Sequence, residues 1–434
     1  MAYGVDNHQV AIGSSNWEQK ILPLRQQAVI INQWLKHRLE NILPIIMKRE
    51  GFDMWVVACR EYNEDPVFLT LLPEPLMSAR RLSILVFVLD PEQKSVSRYA
   101  IARTGIGGDL YQPLWDEQNP DQWAILKKLV SEVKPKRIGV GISNDFAFGD
   151  GLSVALHRQM QAGLGEYASL LIEADRLALG WLETRTDAEL AAYEGLVAIT
   201  HGVVAEAFSN RVIHPGVTTN VDLVWWIRQR FVDLGLKPWF QPSISVQREG
   251  GVIDQPGKPS GETVIMPGDL LHCDVGFYYL RLGTDIQQNA YVLKRDESDA
   301  PAGLKAALRA GNALQDIVAE EMQIGRTGNE ILKASRERAL AAGLLPCIYN
   351  HPIGYHGHGA GPTIGLYDMQ EGVPGRGDYP LFESTCHALE LNVRFPVPEW
   401  QDQMVTMALE QTILMKNGKL YFFDGRQEQL HLIK

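Results

Sequence analysis

The sequence predicts an α+β protein with two domains, and three observations support this prediction. Its 434 residues exceed what one ordinary hydrophobic core holds. Strand-like runs alternate with helical segments through the first third of the chain, which is typical of an α/β layer. A new helix start then falls near residues 183–186, where Thr186 and Glu189 match a capping box. We therefore expect one domain over residues 1–183 and a second over 184–434.

The first domain is predicted to open with an amphipathic helix over residues 17–50 that ends at Gly51. Four strand-like runs follow it: MWVVAC, LSILVFVLD, SRYAIA and RIGVGIS. The polar stretch REYNEDP, residues 60–66, is predicted to be a turn that closes the first strand. Contact with a substrate or with a second copy of the chain is the alternative.

The second domain is predicted to contain helices at about 187–209, 220–234, 301–323 and 328–342. Asn220 is the expected N-cap of the second of these helices, and Gly235 its stop. Thr327 and Glu330 match a capping box for the fourth. The strand-like segments between and after these helices contain most of the acidic and histidine residues of interest.

Composition excludes several classes of protein. A formal net charge of -11 without a cluster of Lys and Arg argues against a nucleic-acid partner. No apolar run approaches the roughly 18 residues of a membrane span. The N-terminus lacks the regions of a signal peptide, so we expect a cytoplasmic protein, with a removed export signal as the alternative. Four scattered cysteines are expected to be packed, reduced thiols: Cys59, Cys273, Cys347 and Cys386.

Acidic and histidine residues in strand-like surroundings suggest a metal site. HCDVGFYYLRLGTD places Asp274 and Asp285 on two strands of a hairpin. His358 lies in GYHGHGAGPTIG, Glu390 in HALELNV and Glu410 in TMALEQTILMKNG. Burying an isolated charge costs several kcal/mol, and no basic side chain lies beside these residues in sequence. Four carboxylates and one histidine suit a pair of divalent ions such as Mn²⁺.

Each of these residues also has a simpler explanation when it is taken alone. Asp274 and Asp285 could be solvated acids of a hairpin. His358 could be a loop histidine among glycines, and His356 also fits an HGxG pattern, which would shift the ligand by two positions. The two glutamates could be charges that protect edge strands. Their occurrence together favours metal binding.

The ordered set HCDVG, Asp285, GHGAG, ALELN and LEQTILMKNG resembles the M24 metallopeptidases, the pita-bread group that includes aminopeptidase P, prolidase, methionine aminopeptidase and creatinase. The resemblance covers residues 184–434. The preceding domain, with FDMWVVACREYNEDP, is similar to the creatinase-type N-terminal domain. The resemblance therefore implies a creatinase-like α/β domain over 1–183 and a pita-bread catalytic domain over 184–434.

This resemblance also implies a function. Two divalent ions, Mn²⁺ first and Co²⁺, Zn²⁺ or Fe²⁺ as alternatives, would be bound by Asp274, Asp285, His358, Glu390 and Glu410. A water between them would attack an N-terminal amide bond of a small peptide, possibly Xaa-Pro, while Glu390 moves the proton. The expected enzyme is an Xaa-Pro aminopeptidase or dipeptidase that forms a homodimer.

The sequence also departs from the family pattern. VIDQPGKPSGETVIMPGD contains no histidine where the family usually has one, and Asp254 is the only titratable residue near that place. Tyr367 stands where a second histidine is expected, and Ala408 replaces an arginine. We expect His356 first, and otherwise His351 or His272, to serve as catalytic substitutes. A binding protein without activity, or a metal-free hydrolase of creatinase type acting on a non-peptide substrate, remains the alternative.

Overall fold

The computed structural model describes residues 17–92, 94–118, 120–259 and 261–434. These form two compact units. The N-terminal unit comprises residues 23–189 with 359–361, and the C-terminal unit comprises 17–22, 190–358 and 362–434. The structure is a mixture of helices and sheets, as the α+β prediction requires. The domain boundary after residue 183 stays a prediction.

The N-terminal unit is built around a six-stranded sheet with the order β4-β3-β2-β1-β5-β6. Its strands are β1 (Met54–Arg60), β2 (Leu82–Leu89), β3 (Val96–Ala102), β4 (Gln112–Pro113), β5 (Ile138–Val140) and β6 (Leu171–Glu173). Its helices are α1 (Leu24–His37), α2 (Leu43–Glu50), α3 (Pro66–Leu71), α4 (Gln122–Val133), α5 (Val154–Leu164) and α6 (Asp175–Glu183). The four strand-like runs of the sequence correspond to β1, β2, β3 and β5, which confirms their prediction.

The predicted helix over 17–50 is only partly correct. The structure has a separate 3-10 turn, Trp17–Lys20, and the long helix begins at Leu24 because Pro23 precedes it with an extended backbone. A π-helical turn, Arg38–Ile42, separates α1 from α2, and Gly51 ends α2 in the left-handed conformation as expected.

The stretch after β1 forms a turn, as predicted. Asn63 donates its backbone N–H to the carbonyl of Arg60, which closes a tight turn at the strand end. Asp65 then caps α3, because its carboxylate accepts the backbone N–H groups of Val67 and Phe68.

The C-terminal unit is dominated by a nine-stranded sheet with a central path β13-β15-β16-β12-β9-β8. β14 pairs with β15, β17 with β16 and β18 with β12, while β11, β10 and β7 form a separate small sheet. The strands are β7 (Lys237–Pro238), β8 (Ser243–Gln247), β9 (Leu270–Val275), β10 (Phe277–Tyr279), β11 (Leu282–Gly283), β12 (Ile286–Val292), β13 (Pro346–Ile348), β14 (His351–Ile353), β15 (Thr385–Val397), β16 (Gln403–Lys416), β17 (Lys419–Phe422) and β18 (His431–Ile433).

Four helices accompany this sheet, close to their predicted positions: α7 (Asp187–Ala207), α8 (Asn220–Asp233), α9 (Ala302–Glu321) and α10 (Gly328–Ala341). The capping boxes predicted for α7 and α10 are present, formed by Thr186 with Glu189 and by Thr327 with Glu330. Asn220 was expected to cap α8, but the cap is Thr219. The Asn220 side chain instead donates to the carbonyl of Gly261.

The core of the C-terminal unit determines which way the site residues point. Leu389 and Leu391 of β15 belong to a buried cluster that includes Leu304 and Leu308 of α9. Because side chains alternate along a strand, Glu390 between the two leucines must face the opposite side of the sheet. The helices therefore cover one face of the sheet and leave the other for polar residues.

Two further expectations concern the chain as a whole. None of the described helices combines the length and apolar character that a bilayer crossing requires. The four cysteines are free thiols; three are buried and Cys347 is half-buried, as predicted.

Candidate metal centre

Three of the predicted carboxylates lie in one row across the sheet of the C-terminal unit. Asp274 on β9 is paired with Gln287 on β12, and Gln287 is paired with Glu410 on β16. Glu410 is in turn paired with Glu390 on β15. Directly opposed residues of antiparallel strands point to the same face. Strand register therefore brings together side chains that are far apart in the sequence.

Asp285 joins this row from the residue that precedes β12. It lies two positions before Gln287, so its side chain faces the same side of the sheet. The Thr412 hydroxyl of β16 donates to the backbone carbonyl of Asp285 at 3.1 Å and holds the chain there. The predicted pairing of the two aspartate strands is confirmed, since Val275 of β9 lies opposite Ile286 of β12. The four acids Asp274, Asp285, Glu390 and Glu410 are called the carboxylate cluster below.

His351 is the histidine that reaches this cluster. Its Nε2 lies 3.4 Å from Oε1 of Glu410, 3.5 Å from Oδ2 of Asp285 and 3.8 Å from Oε2 of Glu390. His351 is the first residue of β14 and pairs with Ala388, two positions before Glu390. Ligand atoms of Asp285, His351 and Glu410 lie within 4.8 Å of one another and could hold an ion together.

The hydrogen bonding of His351 favours the form that binds metals. Its Nδ1 lies 3.0 Å from the carbonyl of Pro352, which can only accept a hydrogen. Nδ1 therefore donates to this carbonyl, and Nε2 is the ring nitrogen that faces the acids. A histidine that donates its far nitrogen to a carbonyl is the common arrangement of a metal ligand.

The buried acids have oxygens that the protein itself does not satisfy. Within the part of the chain that the structure describes, five atoms here have no hydrogen-bond partner: Oδ1 of Asp274, Oδ1 of Asp285, both carboxylate oxygens of Glu410 and Nε2 of His351. Glu410 is 1% exposed and Asp285 4%. Buried polar atoms in native proteins almost always have partners. Oxygen and imidazole donors of this kind fit divalent cations such as Mn²⁺.

The acids also disfavour each other's charge. Burial raises the pKa of Asp285, Glu390 and Glu410 well above the usual range, and the neighbouring carboxylates raise it further. Burial raises the pKa of Asp274 to about 7, although His351 acts in the opposite direction. Without a cation the cluster therefore retains protons at neutral pH, and bound cations would stabilise its ionised form.

His358, the predicted ligand, lies beside this centre in the turn that follows β14. It is not a member of the ion-holding group of Asp285, His351 and Glu410. Its ring stands edge-on to that of His351 with 4.7 Å between the centroids, and edge-on to Trp239 at 5.1 Å. His358 is exposed, whereas His351 is buried.

His356, predicted as the first catalytic substitute, lies in the same turn. Its carbonyl accepts the N–H of Gly354 at 3.1 Å, and the residue is half-buried. Gly357 follows, and a side chain there would collide with the Trp239 ring. The catalytic roles expected for His356 and Glu390 stay predictions.

Sequence reasoning missed Gln287, which stands in the row between two acids. Its side-chain amide donates to Oε1 of Glu390, and its Oε1 lies 2.8 Å from Nε2 of His272. The two-residue period from Asp285 would have placed Gln287 on the site face. An amide has no signature of its own in a single sequence, so it was passed over.

The positions that depart from the family pattern have identifiable places. The Asp254 carboxylate accepts the N–H of Val246 of β8, which makes it a backbone anchor. Tyr367 is exposed, with the Lys258 ammonium 4.1 Å from its ring centroid. Ala408 is buried in β16, and its carbonyl accepts a hydrogen bond from Asn289.

Several solved structures share this fold. The X-Pro aminopeptidase from Thermotoga maritima MSB8 is 15% identical, with 89% of this chain and 99% of that chain covered and a TM-score of 0.65. The Xaa-Pro dipeptidase from Bacillus anthracis is 14% identical, with 93% and 99% covered and a TM-score of 0.59. The N-terminal domain of FACT complex subunit SPT16 from Cicer arietinum is 11% identical, with 93% and 99% covered and a TM-score of 0.54.

Sequence comparison places the chain in a family. No curated protein matches the sequence significantly. The model of metallopeptidase family M24, however, matches residues 193–417, which is just over half of the 434 residues and includes every member of the carboxylate cluster. The chain belongs to metallopeptidase family M24.

Proposed function

We propose that this protein is a metal-dependent exopeptidase that hydrolyses an N-terminal amide bond of small peptides, with Xaa-Pro peptides as the first substrates to test. The observation that supports this most is the convergence of four carboxylates and one histidine, with unpartnered ligand atoms on Asp274, Asp285, Glu410 and His351. Family membership and the two solved Xaa-Pro peptidases of the same fold agree with it.

The proposed ligands are the carboxylate cluster and His351. His351 thus takes the place that the sequence suggested for His358, because its Nε2 faces three of the acids. We propose two ions, Mn²⁺ before Co²⁺, Zn²⁺ or Fe²⁺, since oxygen donors outnumber nitrogen. His358 and His356 would then contact the substrate.

Divalent ions at such a centre polarise a carbonyl oxygen and lower the pKa of water, so that it attacks at neutral pH. The Glu390 side chain has one oxygen held by Gln287, while Oε2 faces His351. Oε2 is therefore the atom that would accept the proton of the attacking water and deliver it to the leaving amide nitrogen. The remaining three acids would hold the centre in place.

A metal count combined with turnover tests this proposal. Protein purified without chelator is expected to contain divalent metal and to cleave members of an Xaa-Pro dipeptide and tripeptide library. D274N and E410Q should lose both metal and turnover. D316N, which changes an exposed aspartate paired with Arg426, is the control and should retain both. Turnover that survives D274N and E410Q would refute the metal-dependent mechanism.

Two other functions are distinguished by the same experiment. A binding protein would take up metal but cleave nothing. The absence of the family's usual histidines near Asp254 and at Tyr367 favours a binding function. The fold shared with the FACT complex subunit SPT16 also favours it. A creatinase-type hydrolase of a non-peptide substrate would work without metal, and the unpartnered ligand atoms argue against it.

We also propose a homodimer and a cytoplasmic location. The free cysteines agree with a reducing compartment. Sedimentation velocity would determine the oligomeric state, and fractionation of the source cell would determine the location.

A further inference from the structure

A series of linked side-chain hydrogen bonds leads across the sheet to Glu390. Ser245 on β8, His272 on β9 and Gln287 on β12 are 1%, 1% and 2% exposed. The Ser245 hydroxyl lies 3.3 Å from Nδ1 of His272, and Nε2 of His272 lies 2.8 Å from Oε1 of Gln287. The Gln287 amide nitrogen donates to Oε1 of Glu390. The first two links join neighbouring strands, and the last reaches across β16 from β12 to β15 and bridges 103 positions in the sequence.

When Glu390 is ionised, the form that bound cations would stabilise, only one arrangement of hydrogens satisfies these linked side chains. An ionised Glu390 can only accept, so Gln287 must present its amide nitrogen to Glu390 and its oxygen to His272. That oxygen needs a donor, so His272 must bear its proton on Nε2. Nδ1 is then bare and accepts from the hydroxyl of Ser245. A flipped Gln287 would instead oppose two oxygens to each other, which is strongly unfavourable in a buried site.

We infer that Gln287, held in one orientation by His272, is a positioning residue that fixes the carboxylate of Glu390. With Oε1 of Glu390 bound to Gln287, Oε2 is directed toward His351 and the ions that the centre would hold. The inference rests on the proposed function because that function gives Glu390 its role in metal binding and proton transfer. The hydrogen-bond chain itself does not depend on that function.

The orientation of Glu390 would otherwise be poorly defined. The Glu390 side chain lies among the acids Asp285 and Glu410, which repel it. Gln287 is the neutral side chain of the row and offers a donor at the point where a further acid would add repulsion. Residues that orient metal ligands in this way typically change activity or metal affinity by about 10- to 100-fold when they are replaced.

The chain offers a matched set of variants. In Q287M the shape remains but both hydrogen bonds are lost. Q288M is the control, because Gln288 points to the opposite face of the same strand and contacts His431. At position 272, glutamine places its amide nitrogen near Nε2 of the histidine, whereas asparagine places it near Nδ1. H272Q therefore retains the donor to Gln287, and H272N does not.

The first measurement is made on protein loaded with diamagnetic Zn²⁺, in which Glu390 is ionised, by long-range proton–nitrogen correlation spectra of the histidine rings. The signal that disappears in H272Q is His272. The His272 ring is expected to be neutral and protonated at Nε2 only. This single tautomer should be lost in Q287M and retained in Q288M. A ring protonated at Nδ1, or an identical signal in Q287M, would overturn the inference whatever the activity.

The second measurement is turnover. Q287M and H272N are expected to lower kcat about 10- to 100-fold with a smaller change in KM. For H272Q, the fold loss of kcat is expected to be about 10 times smaller than for H272N. If the protein has no turnover, Mn²⁺ affinity by calorimetry replaces kcat, with the same order of effects expected. Unchanged kcat and Mn²⁺ affinity in Q287M would refute the positioning role. Absence of turnover in every form, with the His272 signal as expected, would refute the proposed function only.

Discussion

Both units of this protein bury ionised or ionisable side chains, and they treat them in opposite ways. In the N-terminal unit, Glu189 is surrounded by Arg38 at 2.9 Å and Arg185 at 3.3 Å, with all three side chains inaccessible. In the C-terminal unit, four acids face one another with a histidine as the neighbouring base. The first group, Glu189 with Arg38 and Arg185, is called the Glu189 cluster here.

The pKa values show what this difference means. Burial raises the pKa of Glu189, but the two arginines and the Thr186 hydrogen bonds outweigh it, so the pKa is lowered. Burial raises the pKa of Glu410, and Asp285 raises it further. The charge of Glu189 is compensated by arginines of the protein itself, and the Glu189 cluster is structural. The carboxylate cluster is stable in its ionised form only with cations from outside, which indicates a functional site.

The largest effect is expected from E390Q. The amide cannot transfer the proton, so turnover should fall about 10²- to 10⁴-fold, measured on the best peptide substrate. E383Q is the control, because Glu383 accepts backbone N–H groups of the turn after β16, outside the carboxylate cluster. Full turnover in E390Q would mean that another group moves the proton and that the carboxylate cluster is not the catalytic one.

A second effect contrasts the two clusters directly. E189Q removes the buried negative charge that pairs with both Arg38 and Arg185, so the free energy of unfolding should fall by about 3–5 kcal/mol in urea titrations. E410Q in the metal-free protein removes one of several acids that repel one another, so this variant should raise the free energy of unfolding. Equal destabilisation by both variants would contradict the distinction drawn here.

Asp65 of the N-terminal unit provides a pH-dependent effect. Burial raises its pKa to about 6 against the opposing backbone N–H groups of Val67 and Phe68. Because the folded pKa lies above the usual value of 3.8, its contribution is fully present below about pH 4 and is lost as pH rises through 6. D65N, which retains the cap, should therefore stabilise the protein by up to roughly 3 kcal/mol at pH 7. Denaturation at pH 4 should show no gain, and a gain independent of pH would contradict this origin.

The smallest effect is stabilisation by the ion itself. Mn²⁺ at about 100 times its dissociation constant should stabilise the wild type by roughly 2.7 kcal/mol, measured as a rise in Tm that EDTA reverses. D285N should show no rise. Equal rises in both proteins would place the bound ion outside the carboxylate cluster.

Much of the fold was predictable because it depends on local patterns. Thr327 and Glu330 lie three positions apart and define a helix start by themselves. The predicted N-cap Asn220 was wrong by one residue, since Thr219 and Asn220 both suit a cap and only the backbone path decides between them. The predicted helix started at residue 17, whereas α1 starts at Leu24. Pro23 can start a helix but rarely continues one, so the helix could not extend back through it.

The site was predictable in kind but not in every member. The acids Asp274, Asp285, Glu390 and Glu410 were identified by their apolar strand surroundings, and the structure brings them together. The choice among His351, His356 and His358 depends on where β14 ends and on its register with β15, and no local pattern encodes either. The structure places His351 on β14 beside the acids and His358 in the turn beyond that strand.

The sequence alone determined the secondary structure, the buried faces and the supply of acids for a metal centre, since each follows from residues within a few positions of one another. The tertiary structure decided which histidine meets those acids, and that Gln287 lies between Asp274 and Glu410. These contacts join strands far apart in the sequence. Their side chains meet only through the register of the hydrogen-bonded strands, and a shift of one residue would turn them to the other face.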